Sequence, residues 1–260
     1  MLGLLQGPTE LLPISSSAHT LLIAKLAGWD YEDLDPAVRK SFEVALHAGT
    51  AAALLLSSQD DLREIWGDLS PRQAVSLALA LGPVALFGYR CERAIEGQLS
   101  GPRMVSLGLM AGAIAMTVAD LLGGQRRTFQ MAGMIDGALL GLAQATALVP
   151  GISRSGAALT VARARGFSRE DSQRLSWQVG LPVIVGASAL KAKRLLESHS
   201  ESRSHTNLLA GATMALLSSA ASLKVFPLLK PRSLVPFGLY RLAIGAAIGR
   251  RTTARVRARQ

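Results

Sequence analysis

The feature that most constrains the fold of this chain is the recurrence of long stretches without a charged residue. Most of them approach the roughly 17–25 residues that a helix needs to cross a hydrocarbon layer of about 30 Å. The shorter ones can span only if flanking side chains snorkel or if the helices lie inside a bundle. Charged residues make up 18% of the chain, against about 25% in an ordinary soluble domain. This distribution predicts a polytopic membrane protein. The uncharged runs are Gln73 to Tyr89, Met104 to Ala119, Gly137 to Ser153, Leu175 to Leu190, His205 to Leu223 and Leu242 to Gly249.

The apolar segments have the pattern of helices and show no alternation typical of strands. Clusters of Gly, Pro and charged residues separate them, and most connecting loops are short. Small residues abound, as in "LGLMAGAIAM" (Leu107 to Met116), and they allow helices in a membrane to pack closely. The sequence therefore predicts a single all-α integral membrane domain over residues 1–260.

Positive charge is concentrated outside the apolar runs, and the net charge is +10. Basic segments beside membrane spans interact with anionic lipid headgroups and bias topology, so membrane lipids are the expected partners rather than nucleic acid. The arginine-rich tail, Arg250 to Arg259, predicts a cytoplasmic C-terminus. The lone Cys91 excludes an intramolecular disulfide and a thiolate metal cluster.

No cleavable signal peptide is expected, because Met1 leads directly into the first apolar segment without a basic region. The first polar motif follows so soon that we expect a few N-terminal residues to be missing from this version of the chain.

A polar segment near the N-terminus, "QGPTELLPISSS", has a counterpart in "QATALVPGISRS". An offset of 138 residues aligns three identical polar pairs and sets Ser16 opposite Arg154, although the prolines miss each other by one place. Paired interruptions of apolar segments are typical of inverted-repeat membrane folds. We expect repeat halves at about 1–123 and 124–260, with two re-entrant tips that face each other across a polar cavity. The identical pairs are Gln6–Gln144, Ser15–Ser153 and Ser17–Ser155.

The second tip, "PGISRSG" (Pro150 to Gly156), has the composition of an anion cradle. Glycines permit a tight turn, a following helix would present unpaired N–H groups, and Arg154 carries a fork that matches phosphate oxygens. Alternatively, Arg154 caps a helix or pairs with a lipid headgroup. The absence of charge back to Gly137 favours a deep, functional position, because intramembrane charge is expensive. The expected substrate-binding residues of this tip are Gly151, Ser153, Ser155 and Gly156.

The first tip provides oxygen ligands. Glu10 lies in an apolar segment, and Gln6 precedes it by one helical turn on the same face. Their oxygens could together hold a hard divalent cation such as Mg²⁺ or Ca²⁺. An ion pair between Glu10 and Arg154 that only holds the bundle together is the alternative, and the two interpretations are compatible.

The hydroxyl groups of Ser15, Ser16 and Ser17 can cap a helix after Pro13 or contact a substrate. His19 follows Ser16 by three residues, close enough on a helical turn to act as its base or as a nucleophile itself. Together with Glu10 and Arg154, these residues predict phosphoryl hydrolysis at a membrane.

One residue keeps two interpretations. His47 is followed by a small residue in "FEVALHAGT" and has Glu43 one helical turn before it. A structural pairing of His47 with Glu43 and a role in the site are equally compatible with this spacing.

Two other classes of function fit an inverted repeat: a lipid-phosphate flippase or anion transporter, and a catalytically silent subunit. Release of phosphate in detergent separates an enzyme from a transporter, because no second compartment exists there.

Several blocks carry a resemblance to a known family: "QGPTELLPISSSAH", "FEVALHAGT", "GLAQATALVPGISRSGAALT", "LSWQVGLPVIVGASAL" and "LVPFGLYRLAIGAA". In order, they resemble the signature blocks of the undecaprenyl-diphosphate phosphatase (bacitracin-resistance phosphatase) family, over nearly the whole chain. The resemblance implies about six transmembrane helices, two re-entrant helix pairs and a divalent cation. The implied reaction removes the terminal phosphate of undecaprenyl diphosphate, which recycles the lipid carrier of cell-wall synthesis.

The resemblance also implies a bacterial inner-membrane location with the active site open to the outer side. The family's acidic pair falls on Gln6 and Glu10, its serine on Ser16, its histidine on His19 and its phosphate-binding arginine on Arg154. A homodimer is compatible with the sequence, which leaves the oligomeric state open.

Two positions depart from the family pattern. Gln6 stands where many members have glutamate, which lowers the charge of a metal site and places more of its work on Glu10. Ala18 stands where glycine is usual, which is expected to restrict the turn. Because Gln6 keeps an oxygen ligand, we expect an active enzyme.

Overall fold

The computed structural model describes residues 1–29, 31, 34–57, 63, 67, 69–99, 101–197, 205–229 and 233–257. Within these ranges the chain is almost entirely helical and contains no strand, only an isolated bridge between Arg127 and Phe167. The predicted all-α class is confirmed. A 3₁₀ turn covers Phe129–Met131. The α-helices are α1 (Leu2–Leu11), α2 (Ser16–Leu26), α3 (Pro36–Ser57), α4 (Pro71–Leu99), α5 (Pro102–Leu122), α6 (Met134–Thr146), α7 (Arg154–Ala164), α8 (Arg169–Glu197), α9 (His205–Leu229) and α10 (Val235–Arg257).

Among the residues that the structure describes, four helical segments are long and apolar enough to cross a membrane, which makes this a multi-pass membrane protein. They are Pro71–Cys91, Pro102–Leu122, Arg169–Lys193 and Thr206–Phe226. Helices α3 and α10 have 22 and 23 residues, about 33 Å or more at 1.5 Å per residue, so their length also suffices. The total of six spans stays a prediction.

The uncharged run Gly137 to Ser153 does not form one spanning helix. Helix α6 contains 13 residues and ends at Thr146, so its length of about 20 Å falls short of the hydrocarbon layer. The chain then turns through Ala147 to Ser153 before α7 begins. Pro150 and Gly151 cause this break, because Pro lacks a backbone N–H and Gly151 adopts a positive φ of 93°.

Two pairs of consecutive short helices carry the related sequence segments: α1–α2, which we call the first hairpin, and α6–α7, which we call the second hairpin. Helices α2 and α7 have 11 residues each, and the sequence offset of 138 residues carries Ser16–Leu26 onto Arg154–Ala164, end to end. The alignment of polar residues thus corresponds to an alignment of helix boundaries.

Residue contacts divide the chain into two units. The first contains Met1–Leu12, His19–Gly67 and Leu181–Lys230, and the second contains Pro13–Ala18, Asp68–Gly180 and Pro231–Gln260. Each unit draws segments from both predicted repeat halves.

In the first unit, α1 packs against α9 and α3, and α9 also packs against α3. Leu2, Leu46 and Ala215 form the centre of this packing and are buried. The backbone N–H of Gly7 donates a hydrogen bond of 2.9 Å to Ser218 Oγ. Because a side chain at Gly7 would collide with the Ser218 backbone, the small residue allows α1 and α9 to approach closely.

In the second unit, α6 packs against α4, α5 packs against α10, and α7 packs against both α5 and α6. Asp136, in the first turn of α6, accepts hydrogen bonds from Arg127 and Arg165, each at 2.8 Å to Oδ1. Burial alone would raise the pKa of Asp136, but these hydrogen bonds outweigh it and lower the pKa to about 2. This network ties both ends of the second hairpin together.

Candidate functional site

A polar cluster lies on the first hairpin, on the α1 side. Gln6 Nε2 is 3.5 Å from Glu10 Oε2 and 3.4 Å from His47 Nδ1. His47 Nδ1 is in turn 3.8 Å from Glu10 Oε2. The Glu10 side chain is 10% exposed, so its charge lies in a poorly solvated environment where such contacts matter. The predicted pairing of Gln6 and Glu10 on one helix face is confirmed.

His47 is the residue of this cluster that the sequence left undecided. Glu43, one turn before it, accepts a hydrogen bond of 3.1 Å from the hydroxyl of Tyr31. His47 instead lies against Gln6 and Glu10 on α1. The contact therefore favours a role beside Glu10 over a structural pair with Glu43. The sequence provided only a weak indication that His47 belongs to this cluster. His47 lies 37 positions after Glu10, and only the packing of α1 against α3 brings the two residues together.

The turn of the first hairpin places its serines around the start of α2. Ser15 has a positive φ of 74°, unusual for a residue other than glycine. Its Oγ is 3.3 Å from Ser17 Oγ. Ser16 is the first residue of α2, and His19 follows one turn later, only 3% exposed. Ala18 is fully buried inside α2, and the unusual backbone falls on Ser15. The expected restriction of the turn by Ala18 stays a prediction.

The turn of the second hairpin repeats this arrangement. Ser153 Oγ is 3.2 Å from Ser155 Oγ, which matches the Ser15–Ser17 pair. Ser153 is the N-cap of α7, because its Oγ accepts a hydrogen bond of 3.2 Å from the Gly156 N–H. Gly151 packs so closely that a Cβ there would lie 2.2 Å from the carbonyl oxygen of Val105. The close packing and the positive φ together explain the glycine.

Arg154 is the first residue of α7, next to the positive end of the helix dipole. Ser153 caps α7, so the alternative in which Arg154 caps a helix is not needed. Its guanidinium lies against α8: a Cβ at Gly180 would be 2.1 Å from Arg154 Nη1. The absence of a side chain at Gly180 therefore creates the space that Arg154 occupies. Ser176, one turn earlier on α8, donates a hydrogen bond of 3.4 Å to the Ser155 carbonyl.

A divalent cation was predicted at Gln6 and Glu10. The described residues contain no group of three His, Cys, Asp or Glu side chains placed to hold a metal. Magnesium is often bound by only one or two protein carboxylates, with water and substrate phosphates as the remaining ligands. The carboxylate of Glu10 and the amide oxygen of Gln6, turned by rotation of the amide, fit a shared site of that kind.

These features define a class: a helical multi-pass membrane protein whose two related short hairpins carry an acidic cluster, a hydroxyl-rich turn and an arginine at a helix N-terminus. The sequence profile described as bacitracin resistance protein BacA matches residues 1–247. The chain belongs to this family.

Similar proteins carry a common name. An undecaprenyl-diphosphatase of Geobacter sulfurreducens is 35% identical over 95% of this chain and 95% of its own length. Undecaprenyl-diphosphatases of Chromohalobacter salexigens and of a Nocardioides species are each 32% identical over 95% of this chain, and cover 95% and 93% of their own lengths.

Proposed function

We propose that this protein hydrolyses the terminal phosphate of undecaprenyl diphosphate, giving undecaprenyl phosphate and inorganic phosphate. The observation that carries the proposal is the identity of 32–35% over 95% of the chain to proteins named undecaprenyl-diphosphatase. The chemistry of the two hairpin turns agrees with a phosphorylated substrate.

The second turn supplies the groups that bind phosphate. Arg154 and the N-terminus of α7 both favour an anion, and the hydroxyls of Ser153 and Ser155 can donate to its oxygens. Gly151 and Gly156 are the remaining proposed substrate-binding residues of this turn, where glycine permits the tight turn of the backbone. We assign Arg154 to the terminal phosphate, where charge develops as the anhydride bond breaks.

The first turn supplies the groups that act on the bond. The attacking oxygen or nitrogen reaches the terminal phosphorus, the bond to the bridging oxygen breaks, and that oxygen leaves on undecaprenyl phosphate. Water, Ser16 and His19 are the candidate nucleophiles; attack by either side chain requires a second step in which water removes the phosphoryl group. His19 can accept the proton of water or of Ser16, while Ser15 and Ser17 contact substrate oxygens.

Glu10 and Gln6 are the proposed ligands of a divalent cation, Mg²⁺ or Ca²⁺. When bound, such a cation would neutralise charge on the phosphate oxygens. His47 would hold the Glu10 carboxylate in position, since its ring nitrogen lies 3.8 Å from Glu10 Oε2.

We further propose that the protein resides in the bacterial inner membrane, with the site open to the outer side. Its product would then re-enter the carrier pool of peptidoglycan synthesis. A homodimer is a proposal that mass measurement in detergent can test.

The testing experiment is release of inorganic phosphate from undecaprenyl diphosphate by purified protein in detergent, with and without a chelator. We expect release that depends on a divalent cation and falls at least a hundredfold in Arg154→Ala and His19→Ala. Ser198→Ala, remote from the hairpin turns in the sequence, serves as the control. Transport of the lipid across vesicles by protein that releases no phosphate would contradict the proposal, and so would full activity in both variants.

A further inference from the structure

Helix α7 carries Arg154 at its start, and a buried ion pair holds the other end of the helix. Arg163, in the last turn, is 0% exposed, and its Nε donates a hydrogen bond of 3.0 Å to Asp120 Oδ1 on α5. Its terminal nitrogens donate to the carbonyls of Gly124 at 2.8 Å and of Gly123 at 2.9 Å, just beyond the last residue of α5. The guanidinium therefore binds the end of α7 to the C-terminus of α5, where the helix dipole favours a cation.

Asp120 joins two more helices to the same point. Its Oδ2 accepts hydrogen bonds of 2.8 Å from the Leu234 N–H and of 3.0 Å from the Ser233 hydroxyl, directly before α10. Arg169, the first residue of α8, donates from Nε to Asp120 Oδ1 at 2.8 Å. Asp120 is itself only 1% exposed. One buried carboxylate thus holds together the ends of α5, α7, α8 and α10.

The turn before α7 also lies on α5. A Cβ at Gly151 would collide with the Val105 carbonyl, and a Cβ at Gly108 would lie 2.7 Å from the Pro150 carbonyl oxygen. Helix α7 is consequently held at two places on one neighbour, beside Gly108 at its start and beside Asp120 at its end. At 1.5 Å per residue these two places are about 18 Å apart along α5.

The composition of α7 makes these two attachments important for its position. Its sequence, "RSGAALTVARA", consists mostly of small side chains, and Leu159 and Val161 are its only large apolar residues. Helices keep their register through side chains that interdigitate, so a helix with a smooth surface is poorly fixed along its axis by packing alone. A buried ion pair adds little net stability, because desolvation offsets the attraction, and fixing a register is its best-attested use.

We infer that Arg163 and Asp120 are positioning residues of the phosphate site. They fix α7 along its axis and so hold Arg154 and the N-terminus of α7 where the phosphate binds. Both act through α7 rather than by contact with the ligand, and the identity of that ligand rests on the proposed function. A displacement of about 1 Å is enough to lower the rate of a reaction strongly, because the fork of Arg154 must match the phosphate oxygens.

The test removes the pair with and without leaving a buried charge, in the full chain purified in detergent. Arg163→Met leaves the Asp120 carboxylate without one of its donors and should lower the unfolding temperature. Asp120→Asn/Arg163→Met removes both charges, keeps an acceptor for the Leu234 N–H, and should be at least as stable as the single variant. If Arg163→Met does not fold, the double variant decides.

Two measurements follow the position of α7. We expect kcat/KM for phosphate release from undecaprenyl diphosphate to fall at least tenfold in both variants. Amide hydrogen exchange of residues 150–157 should accelerate at least tenfold in both, including the double variant with its recovered stability. A purely structural pair would not give this result, because activity and slow exchange would return together with stability.

Arg165→Met is the matched control at the same end of α7. The Arg165 side chain is 39% exposed, and its partner Asp136 also pairs with Arg127 at 2.7 Å, so removing it leaves no buried carboxylate without a cation. This variant should stay within twofold of the wild type in kcat/KM and in exchange.

The inference is overturned if the double variant has the activity and exchange of the wild type, or if Arg165→Met causes an equal loss. A double variant that does not fold, or is less stable than Arg163→Met, would assign the pair to folding alone and overturn it as well. A wild type that releases no phosphate would contradict the proposed function. Faster exchange of residues 150–157 in the double variant would still support the positioning of α7 in that case.

Discussion

At the scale of single residues, Arg154 depends on an empty volume on another helix. A Cβ at Gly180 would lie 2.1 Å from Arg154 Nη1, so Gly180→Ala must displace the guanidinium. We expect a fall in kcat/KM of tenfold or more, because a displaced fork no longer matches the phosphate oxygens. Gly186→Ala, on the same helix with no atom within 4 Å of the added Cβ, is the matched control and should stay within twofold of the wild type. Equal losses in both variants would contradict the role of the Gly180 space.

A second residue-scale prediction concerns Gln6, which stands 3.5 Å from Glu10. Gln6→Glu places two carboxylates side by side, which repel one another unless a cation lies between them. We expect the divalent cation concentration for half-maximal phosphate release to fall severalfold. The unfolding temperature in chelator should fall as well. Gln6→Met removes the oxygen without adding charge and should raise the cation requirement. An unchanged cation dependence in both variants would remove Gln6 from the proposed metal site.

The same scale shows what the sequence could reveal. Glu10, Gln6 and Arg154 were identifiable as candidate site residues because they lie in apolar segments. Polar and charged groups inside a membrane are energetically unfavourable and are usually kept for function. His47, Gly180 and Arg163 were not assigned, since their significance depends on which side chains other helices bring against them. The chain contains 25 glycines. The sequence alone does not show which of them leaves space for a side chain on another helix.

At the scale of elements, the turn before α7 depends on Gly151. Gly151→Ala introduces both a strained positive φ and a Cβ 2.2 Å from the Val105 carbonyl oxygen. Gly166→Ala introduces only the strain, because φ there is 81° and no atom lies within 4 Å of the Cβ. We expect Gly166→Ala to cost about 1 kcal/mol and Gly151→Ala several-fold more, with loss of phosphate release. Unfolding in detergent measures both. Similar destabilisation of the two variants would show that the contact with α5 does not hold this turn.

The breaks within the hairpins were visible in the sequence, whereas the packing of the hairpins was not. Pro, Ser and Gly mark the ends of α1 and α6 through local backbone chemistry, and the observed ends of α2 and α7 are related by the same offset of 138 residues. The partners of each hairpin could not be read in this way. Helix α1 packs against α9, and α6 packs against α4, so each hairpin contacts a long helix from the opposite half of the chain. A uniformly apolar helix surface does not indicate in its sequence pattern which helix of the other half packs against it.

At the scale of the whole molecule, the membrane class was predictable because it follows from the distribution of charge along the chain. The expected total of about six spans stays a prediction. Helices α3 and α10 are long enough to cross a bilayer, yet α3 carries the Glu10-facing His47 and α10 carries the buried Arg241. Polar residues lower the mean hydropathy of the helices that hold them, which obscures those helices in a count based on composition.

The orientation of the molecule gives the last prediction. Arginines at the end of α10 and beyond it would cross a bilayer at high cost and are attracted to anionic lipid on the cytoplasmic side. In a Cys91→Ser background, a single cysteine that replaces Gln260 should react with a membrane-impermeant maleimide only after cells are lysed. The matched variant replaces Arg250, Arg251, Arg255, Arg257 and Arg259 by Gln and keeps the same cysteine. If the arginines bias the orientation, the Gln-containing variant should show increased labelling in intact cells. Labelling of the arginine-containing tail in intact cells would place the C-terminus outside and overturn the cytoplasmic assignment.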